Sequence, residues 1–233
     1  MLVICPTRGR PSAFKNMLDS FLENSRFARL TVHIDSDDPC VEEYREIIKG
    51  RCSFTIGERE NITQIINAKF HMAKPHEFYS ITNDDFFYHT KDWDLKLIEE
   101  IKLHGKYGIA YGNDLLQGVN MPTTSVISGE IARAVGWLQL PSLIHLFGDN
   151  VWQFLGKKTG CLHYRSDVII EHRHWFSKKV PQDEVYRHTN SKAMYDADHK
   201  AFVEWFTQTS KSDAEKIIEV IKAGVAEMKS PCG

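Results

Sequence analysis

The stretch FYSITNDD, which runs from Phe78 to Asp85, decides the fold class of this chain. It starts as an apolar, aromatic run typical of a buried strand and ends in three polar side chains, Asn83, Asp84 and Asp85. Open α/β sheets bind their ligands just outside the carboxyl ends of such strands. The stretch therefore predicts both a strand and a candidate site, and the segments before it repeat the pattern.

Three further strands are predicted upstream, at Leu2–Cys5, Leu30–Ile34 and Ser53–Ile56. Amphipathic helices alternate with them, because apolar residues recur there at helical spacing. The apolar stripes are Phe14, Met17, Leu18, Phe21 and Leu22 in the first helix and Ile62, Ile65, Ile66 and Phe70 in the third, with a short helix at Val41–Lys49 between them. This βαβαβαβ order predicts an α/β fold with a mostly parallel sheet and helices on both faces.

The second half of the chain has a less regular pattern. We expect strands at Tyr107–Tyr111, Thr124–Ile127 and Val168–Ile170, and helices at Glu130–Val135, Asp149–Leu155 and Ser191–Thr207. A last helix carries the apolar stripe Ala214, Ile217, Ile218, Ile221 and Val225, which we expect to pack against the body of the protein. No repeat or Gly/Ser-rich linker divides the chain, so a single domain is predicted.

The composition is that of an ordinary globular chain. Its 233 residues include 29 basic and 31 acidic side chains, and the formal charge of −2 excludes a generally basic nucleic-acid-binding protein and an acidic disordered tail. No apolar run approaches the roughly 20 residues of a membrane span, and the apolar start lacks the basic residues of a signal peptide. The five cysteines are scattered without a C-x-x-C pair, so we predict a cytoplasmic protein with no membrane span.

Two common nucleotide-binding motifs are absent from the sequence. No G-x-x-x-x-G-K-[ST] loop occurs, and no G-x-G-x-x-G follows the first strand, which disfavours a Walker-type NTPase and a dinucleotide-binding site. Phosphates bound at the sheet edge would therefore be neutralised by a divalent cation and by Arg or Lys side chains.

Asp84 and Asp85 are the first candidates for metal ligands. Carboxylates at a strand end suit Mg²⁺ or Mn²⁺, which bind through one or two carboxylates and substrate phosphates. Asn and Asp are also common in turns, where their side chains bond the neighbouring backbone. The acidic segment Asp35–Asp38 after the second strand allows the same two interpretations, a ligand-binding loop or a turn before Pro39.

A second group of candidates follows the strand predicted at Val168–Ile170. His172 and His174 would point to one side if the extended backbone continues, an arrangement that can bind a metal or a phosphate. Arg173 and Lys178 belong to the most basic local segment and could contact a diphosphate. Surface histidines and a solvated loop are the alternative interpretation.

Asp149 stands at the start of a predicted helix, in the sequence GDNVW. Its carboxylate could cap the free N–H groups of that helix. It could also act as a general base that takes a proton from an attacking hydroxyl. The spacing leaves both interpretations open.

In this order, the motifs resemble those of GT-A glycosyltransferases of the family 2-like type. Residues 4–10, ICPTRGR, resemble the opening strand and nucleotide loop of that fold. Residues 79–85 resemble its acidic metal motif, Asp-x-Asp. The match is either Asn83-Asp84-Asp85, with Asn in place of the first Asp, or Thr82-x-Asp84, with Thr in that place, so the direct ligand is either Asp84 or Asp85. Asp35–Asp38 resemble the turn that reads the nucleotide base, and Asp92-Trp93-Asp94 is also familiar from this group. The likeness covers about residues 1–205 and is greatest to compact phage and bacterial members.

The resemblance implies a hexosyl- or pentosyltransferase that uses Mn²⁺ or Mg²⁺ and moves a sugar from a nucleoside-diphosphate sugar to an acceptor hydroxyl. A single base without a paired nucleophile implies one displacement, which inverts the anomeric carbon. It further implies a donor-binding half (residues 1–104), an acceptor-side half (105–190) and C-terminal helices (191–233). The implied donor contacts are Pro6, Thr7, Arg8, Arg10, Asp35, Asp37, Asn83, Asp84, Arg173 and Lys178; the implied metal ligands are Asp84, Asp85, His172 and His174; and the implied base is Asp149.

The acceptor and two other function classes stay open. A glycan, a small molecule or a hydroxymethylated DNA base would each supply a hydroxyl, and residues 163–192 form the segment basic enough for DNA. A phage-encoded protein would act in the host cytoplasm. A non-catalytic nucleotide-sugar or metal-binding module is favoured by Asn83 or Thr82 in place of the first Asp of the acidic motif. A nucleotidyltransferase is the third class, although Gly9 is a single glycine where such enzymes carry a Gly-rich phosphate loop.

Overall fold

The computed structural model describes residues 1–173, 187 and 191–229 of the chain. Eight strands form one sheet in these residues: β1 (Leu2–Thr7), β2 (Arg29–Asp35), β3 (Ser53–Gly57), β4 (Phe78–Ile81), β5 (Phe86–Tyr88), β6 (Ile109–Asn113), β7 (Ser125–Ser128) and β8 (Leu162–His172). The helices described are α1 (Pro11–Asn24), α2 (Val41–Ile48), α3 (Ile62–Met72), α4 (Trp93–His104), α5 (Gly129–Val135), α6 (Gly148–Thr159), α7 (Lys192–Gln208) and α8 (Ser210–Lys229), with a 3₁₀ turn at Gly118–Asn120. None of these helices combines the length and apolar composition that crossing a membrane requires.

The strand order of the sheet is β3-β2-β1-β4-β7-β6-β8-β5. Four of its seven strand pairings are parallel: β1 with β2, β2 with β3, β1 with β4, and β6 with β8. β7 runs antiparallel between β4 and β6, and β5 runs antiparallel to β8 at the edge. The chain thus builds outward from β1 to β3 and then returns to place β4 on the other side of β1.

Two apolar cores lie on opposite faces of the sheet. Successive residues of β1 point to different faces, so Val3 and Cys5 enter one core while Ile4 enters the other. The first core contains α1, α2 and α4, and the second contains α3, α5, α6 and the two C-terminal helices. Trp205 of α7 and Ala214 and Ile217 of α8 are buried in the second core, which confirms that the last apolar stripe packs against the body of the protein.

The predicted α/β class is confirmed, with a mostly parallel sheet, flanking helices and C-terminal helices. Two elements were not predicted: the helix α4 and the three-residue strand β5. α4 follows Asp92, a residue type typical of helix starts, which here has a left-handed φ of 54° and forms no side-chain capping bond. β8 is also longer than predicted, and Leu22, assigned to the buried stripe of α1, is 39% exposed.

The Asp92-Trp93-Asp94 segment connects α4 to the loop between α1 and β2. Asp94 is fully buried, and its carboxylate accepts hydrogen bonds from the backbone N–H groups of residues 26–28 at 2.5–3.2 Å. Trp93 is also buried, and its Nε1 donates to Ser25 Oγ at 2.8 Å. Both side chains therefore serve to hold the fold together.

We expect Asp94→Ala to lower the free energy of unfolding by about 3 kcal/mol, because three backbone donors lose a charged acceptor. Urea unfolding of the two proteins measures the difference. Asp167→Ala is the matched control, since Asp167 is an exposed carboxylate paired with Arg165 at 3.1 Å, and such a pair contributes less than about 1 kcal/mol. Equal effects of the two substitutions would contradict the anchoring role of Asp94.

Candidate active site

Five strand ends bring the candidate residues to one edge of the sheet. β1, β2 and β4 are parallel, and β6 and β8 point the same way because β7 reverses the direction between β4 and β6. The carboxyl ends of these strands carry Thr7, Asp35, the Asn83–Asp85 segment, Asp114 and His172. The edge includes the position between β1 and β4 where the strand order reverses, which is where open α/β sheets bind ligands.

Protein side chains engage both carboxylate oxygens of Asp84. Thr7 Oγ1 donates to Oδ2 at 2.8 Å, and Arg10 Nη1 lies 3.3 Å from Oδ1. Burial raises the pKa of Asp84 to about 6, although Arg10 and Thr7 act in the opposite direction, and the charge of Asp85 contributes to the increase. Asp84 thus fixes the loop after β4 to the loop after β1.

Tyr44 of α2 completes this connection, and it was not among the residues predicted from the sequence. Its hydroxyl lies 3.1 Å from Thr7 Oγ1 and accepts a hydrogen bond from the backbone N–H of Arg10 at 2.7 Å. Because Tyr44 is a single buried aromatic residue in a short helix, its sequence context gives it no signal beyond that of a core residue.

A second acidic group surrounds Arg8 at the end of β2. The Arg8 guanidinium donates to Asp35 Oδ2 at 3.0 Å and to both oxygens of Asp37 at 2.5 and 3.2 Å. Asp38 accepts a hydrogen bond from the backbone N–H of Gly9 at 2.7 Å. Burial raises the pKa of Asp35 against the effect of Arg8, whereas the hydrogen bond from Arg8 lowers the pKa of Asp37. The acidic turn and the loop after β1 therefore form one unit.

Asp85 and His172 meet because β5 pairs with β8. Phe86 is in register with His172 and stacks on its ring with centroids 4.5 Å apart, and Asp85 Oδ2 lies 3.4 Å from His172 Nε2. Burial disfavours the imidazolium, but the hydrogen bond with Asp85 and the charges of Asp85, Asp149 and Asp114 outweigh it and raise the pKa of His172. Two predicted metal ligands, 87 positions apart in the sequence, are thus brought into contact.

The part of the chain that the structure describes contains no cluster of three or more His, Cys, Asp or Glu side chains placed to bind a metal ion. An ion that binds together with substrate phosphates needs fewer protein ligands, usually one or two. The 3.4 Å between Asp85 Oδ2 and His172 Nε2 is close to the roughly 3 Å that separates neighbouring ligands of an octahedral cation with bonds of about 2.1 Å. Once a cation replaces the proton shared by this pair, the two atoms can therefore occupy neighbouring positions of such a coordination shell.

Asp149 lies in the first turn of α6, close enough for its charge to act on His172. The N-cap residue of α6 is Phe147 and no side-chain capping bond forms, so Asp149 does not have the capping role. Its side chain is exposed, yet desolvation by the surrounding protein raises its pKa to about 7, with His172 opposing the increase and Asp114 adding to it. An accessible carboxylate with a pKa near neutrality has the properties of a general base.

The loop before α6 is held by polar side chains from two distant helices. Asp198 of α7 accepts hydrogen bonds from the backbone N–H groups of residues 144–146 at 2.6–2.9 Å. Asn67 of α3 bonds both the N–H and the C=O of Gln139. Gly148 permits the close approach of this loop, because a Cβ there would overlap the Gln139 amide. These contacts fix the position of the first turn of α6.

Asp114 was also not among the site residues predicted from the sequence. Its Oδ1 accepts hydrogen bonds from the backbone N–H groups of residues 116–118 at 2.7–3.0 Å, and its C=O accepts from the N–H of His172 at 2.9 Å. A usable signal was present, because Asp114 directly follows β6 as Asp84 and Asp85 follow β4. It orders the loop that follows β6 and supplies negative charge near His172 and Asp149.

Arg173 lies beside the candidate metal pair but turns toward other partners. Its backbone N–H donates to the C=O of Asp85 at 2.8 Å, while its Nε donates to Glu171 at 3.1 Å. The guanidinium carbon lies 3.9 Å from the centre of the Phe87 ring. The described contacts of the side chain are therefore with Glu171 and Phe87.

Two other residues of the predicted site, Pro6 and Asn83, are next to Thr7 and Asp84 in the chain. Pro6 lies inside β1, one residue before Thr7, and Asn83 is half-buried directly before Asp84. His174 and Lys178 lie outside the described residues, so their assigned roles stay predictions.

Comparison with known proteins identifies relatives in structure but not in sequence. No protein-family model matches the chain, and no curated protein matches it. The mannosyltransferase PcManGT from Pyrobaculum calidifontis, in complex with GDP-Man and Mn²⁺, matches with a TM-score of 0.57 at 12% identity, over 99% of this chain and 76% of its own. S. aureus TarS 1–349 in complex with UDP-GlcNAc matches with a TM-score of 0.57 at 12% identity, over 94% of this chain and 70% of its own.

Two further TarS structures extend beyond the part that resembles this chain. The complex of S. aureus TarS 1–349 with UDP matches with a TM-score of 0.56 at 13% identity, over 72% of this chain and 58% of its own. In the longer TarS structure the match spans 44% of that chain. At these identities the likeness establishes the fold: the chain has a GT-A-like glycosyltransferase fold.

Proposed function

We propose that this chain is a metal-dependent glycosyltransferase, which moves a sugar from a nucleoside-diphosphate sugar to an acceptor hydroxyl and inverts the anomeric carbon. The observation that carries the proposal is the contact of Asp85 with His172 at the ligand-binding edge of the sheet, with Asp149 close by. The structural neighbours support it, because PcManGT is in complex with GDP-Man and Mn²⁺ and TarS with UDP-GlcNAc.

In this proposal Asp85 and His172 would hold Mn²⁺ or Mg²⁺, and the ion would supply positive charge against the leaving diphosphate. Asp84 is then a positioning residue, because Thr7 and Arg10 already engage its two oxygens. His174 is the further ligand proposed from the sequence. The charges of Asp85, Asp149 and Asp114 all act on His172, which points to a site with excess negative charge that a divalent cation would relieve.

Asp149 is the proposed general base. It takes the proton of the acceptor hydroxyl as the acceptor oxygen forms a bond to the anomeric carbon of the donor. The bond from that carbon to the diphosphate breaks on the opposite face, and its electron pair stays with the diphosphate oxygen. One displacement of this kind inverts the configuration at the anomeric carbon.

The loop after β1 and the acidic turn after β2 form the proposed nucleotide site. Arg8 joins the two by binding Asp35 and Asp37, and the backbone of Pro6 and Thr7 borders them at the end of β1. Asn83 is proposed to face the ribose, and Arg173 and Lys178 to assist at the phosphates. The proposed donor half is residues 1–104, and the acceptor half is residues 105–190.

A donor screen tests the proposed function. The purified protein is incubated with UDP-, GDP- and other nucleotide sugars, with and without Mn²⁺, and free nucleotide is measured. We expect nucleotide release from one donor class that stops when EDTA removes the metal. No release from any donor, together with metal-dependent nucleotide binding, would instead support a non-catalytic nucleotide-sugar-binding module.

A further inference from the structure

A groove lies between α6 and α7, on the same helix that carries Asp149. Its cavity of about 440 Å³ is lined by Asn150, Gln153, Phe154, Lys157 and Lys158 of α6 and by Phe202 of α7. This volume falls within the roughly 300–1,000 Å³ of typical small-ligand sites. The donor site proposed above uses none of these residues.

The groove starts at the proposed catalytic centre. Asn150 follows Asp149 in the sequence, and Gln153 lies one helical turn after Asp149 on the same face of α6. The Gln153 amide also donates to the backbone C=O of Asn120 in the loop that Asp114 orders. With a rise of about 1.5 Å per residue, Lys157 lies about 12 Å from Asp149 along the helix axis. A molecule bound along the groove can therefore present one end to Asp149.

Phe202, which lines the groove, belongs to a row of aromatic rings on α7. Tyr195, His199, Phe202 and Phe206 follow one another at helical spacing on one face of α7, and Tyr195 and Phe206 are 50% and 46% exposed. Phe147 joins this row to the proposed catalytic centre, because its ring lies 5.5 Å from that of Phe202 and it stands two residues before Asp149.

Phe147 reaches this position with a left-handed φ of 68°. Such a backbone conformation costs a non-glycine residue about 1–3 kcal/mol and is found most often where it serves a site. The contact of Phe147 with the aromatic face of α7 is therefore maintained at the expense of local strain.

Lys157 and Lys158 give the far end of the groove a positive charge. Neither lysine forms an ion pair within the described residues, whereas Lys192 and Lys200 of α7 pair with Asp196 and Glu204. Asp149 is the only carboxylate in α6. Lysines in the last turn of a helix interact favourably with the negative end of the helix dipole. These two lysines also line the groove. The groove is thus lined by two amides, Asn150 and Gln153, and two aromatic rings, Phe154 and Phe202, and is cationic at the end away from Asp149.

We propose that this groove binds the acceptor, and that the acceptor is an oligosaccharide with an acidic group. The apolar faces of sugar rings would pack on the aromatic side chains, and Asn150 and Gln153 would bond hydroxyls. The acidic group would bind Lys157 and Lys158, two to three sugar units from the hydroxyl presented to Asp149. This inference rests on the proposed function, because it assigns the acceptor of that reaction.

The charge distribution favours such an acceptor over a single-stranded nucleic acid. A polynucleotide needs cations along its whole backbone as well as stacking platforms. Along α7, Lys192 and Lys200 form ion pairs with Asp196 and Glu204. Among the described residues that line the groove, the cations without a paired carboxylate are therefore Lys157 and Lys158, at one end. This pattern suits a largely neutral chain with a localised negative charge.

The test is binding to an array of immobilised oligosaccharides that are neutral or carry uronic acid, sulfate or phosphate groups, with single-stranded DNA on the same surface. We expect the protein to bind acidic oligosaccharides, and the double variant K157Q/K158Q to bind them about tenfold more weakly, because two charge-assisted contacts are lost. Tyr195→Ala, which removes an exposed ring, should also weaken this binding. Thermal unfolding checks that both variants remain folded.

The matched control is K15Q/K49Q, which removes the same charge from α1 and from the residue that follows α2, both in the proposed donor half. It should bind acidic oligosaccharides like the unaltered protein. Binding to neutral glycans only, to DNA only or to nothing on the array, or equal losses in both double variants, would overturn the inference. The donor screen separates the two proposals: nucleotide release without oligosaccharide binding overturns the acceptor assignment alone, whereas oligosaccharide binding without release from any donor supports the groove and overturns the proposed transfer.

Discussion

We expect the D149N variant to lose glycosyl transfer by about 10²–10⁴-fold in kcat, the usual contribution of a general base. Asparagine has nearly the same shape as aspartate but cannot take the acceptor proton. Donor binding should stay within about twofold of the original value, because the proposed nucleotide and metal contacts lie on the loops after β1, β2 and β4 and on β8. Product formation by chromatography and donor titration in the presence of Mn²⁺ measure the two quantities separately.

The pH dependence provides an independent control for the role of Asp149. A base must be ionised to act, so kcat/KM should fall as the pH drops below the pKa of Asp149. That pKa is raised to about 7 in the free protein, and a divalent cation nearby would lower it toward the value of about 3.9 found in model peptides. D149E should keep this acid limb at a reduced rate, whereas the residual activity of D149N should lack it. Near-normal turnover by D149N would remove Asp149 from the role of base.

The first half of the fold could be predicted because its signals are local. Each of the first four strands is a short apolar run, and α1 and α3 carry stripes at helical spacing, so the order of elements follows from windows of about 15 residues. β5 could not be predicted in this way, because three residues form a strand only by pairing with β8, more than 80 positions away. α4 differs from β5, because a local signal was present: Trp93, Leu97, Ile98 and Ile101 recur at helical spacing and are buried.

The candidate site shows the same division between local and long-range information. Thr7, Asp35 and Asp84 could be placed together from the sequence, because the carboxyl ends of parallel strands share one edge. The contact of Asp85 with His172 depends on the register of β5 with β8, which no spacing rule gives. The roles of Asn67 and Asp198 could not be predicted for another reason. Both side chains form hydrogen bonds with the backbone of a loop, and any sequence in that loop offers the same N–H and C=O groups.

We expect Asp85→Asn to weaken Mn²⁺ binding by more than about 100-fold, and Asp84→Asn to weaken it by about tenfold, the lower end of the range for residues that orient a ligand without touching the metal. The reason for the difference is geometric. Asp84 already receives hydrogen bonds from Thr7 and Arg10, one on each oxygen, whereas Asp85 Oδ2 lies 3.4 Å from His172 Nε2. Calorimetric titration of each variant with Mn²⁺, in the presence of the nucleotide identified by the donor screen, measures the affinities.

His172→Gln is the companion variant, and it separates metal binding from general damage to the loop. If Asp85 and His172 share one ion, D85N and H172Q should lose Mn²⁺ affinity to a similar extent, and the double variant should lose little more, because either change already disrupts the shared site. D84N should differ in kind: it should lower the melting temperature through the lost connection to Thr7 and Arg10 while nucleotide release stays dependent on Mn²⁺. A larger loss of Mn²⁺ affinity in D84N than in D85N would exchange the two roles, and the acidic motif would then bind its metal through the residue next to Asn83.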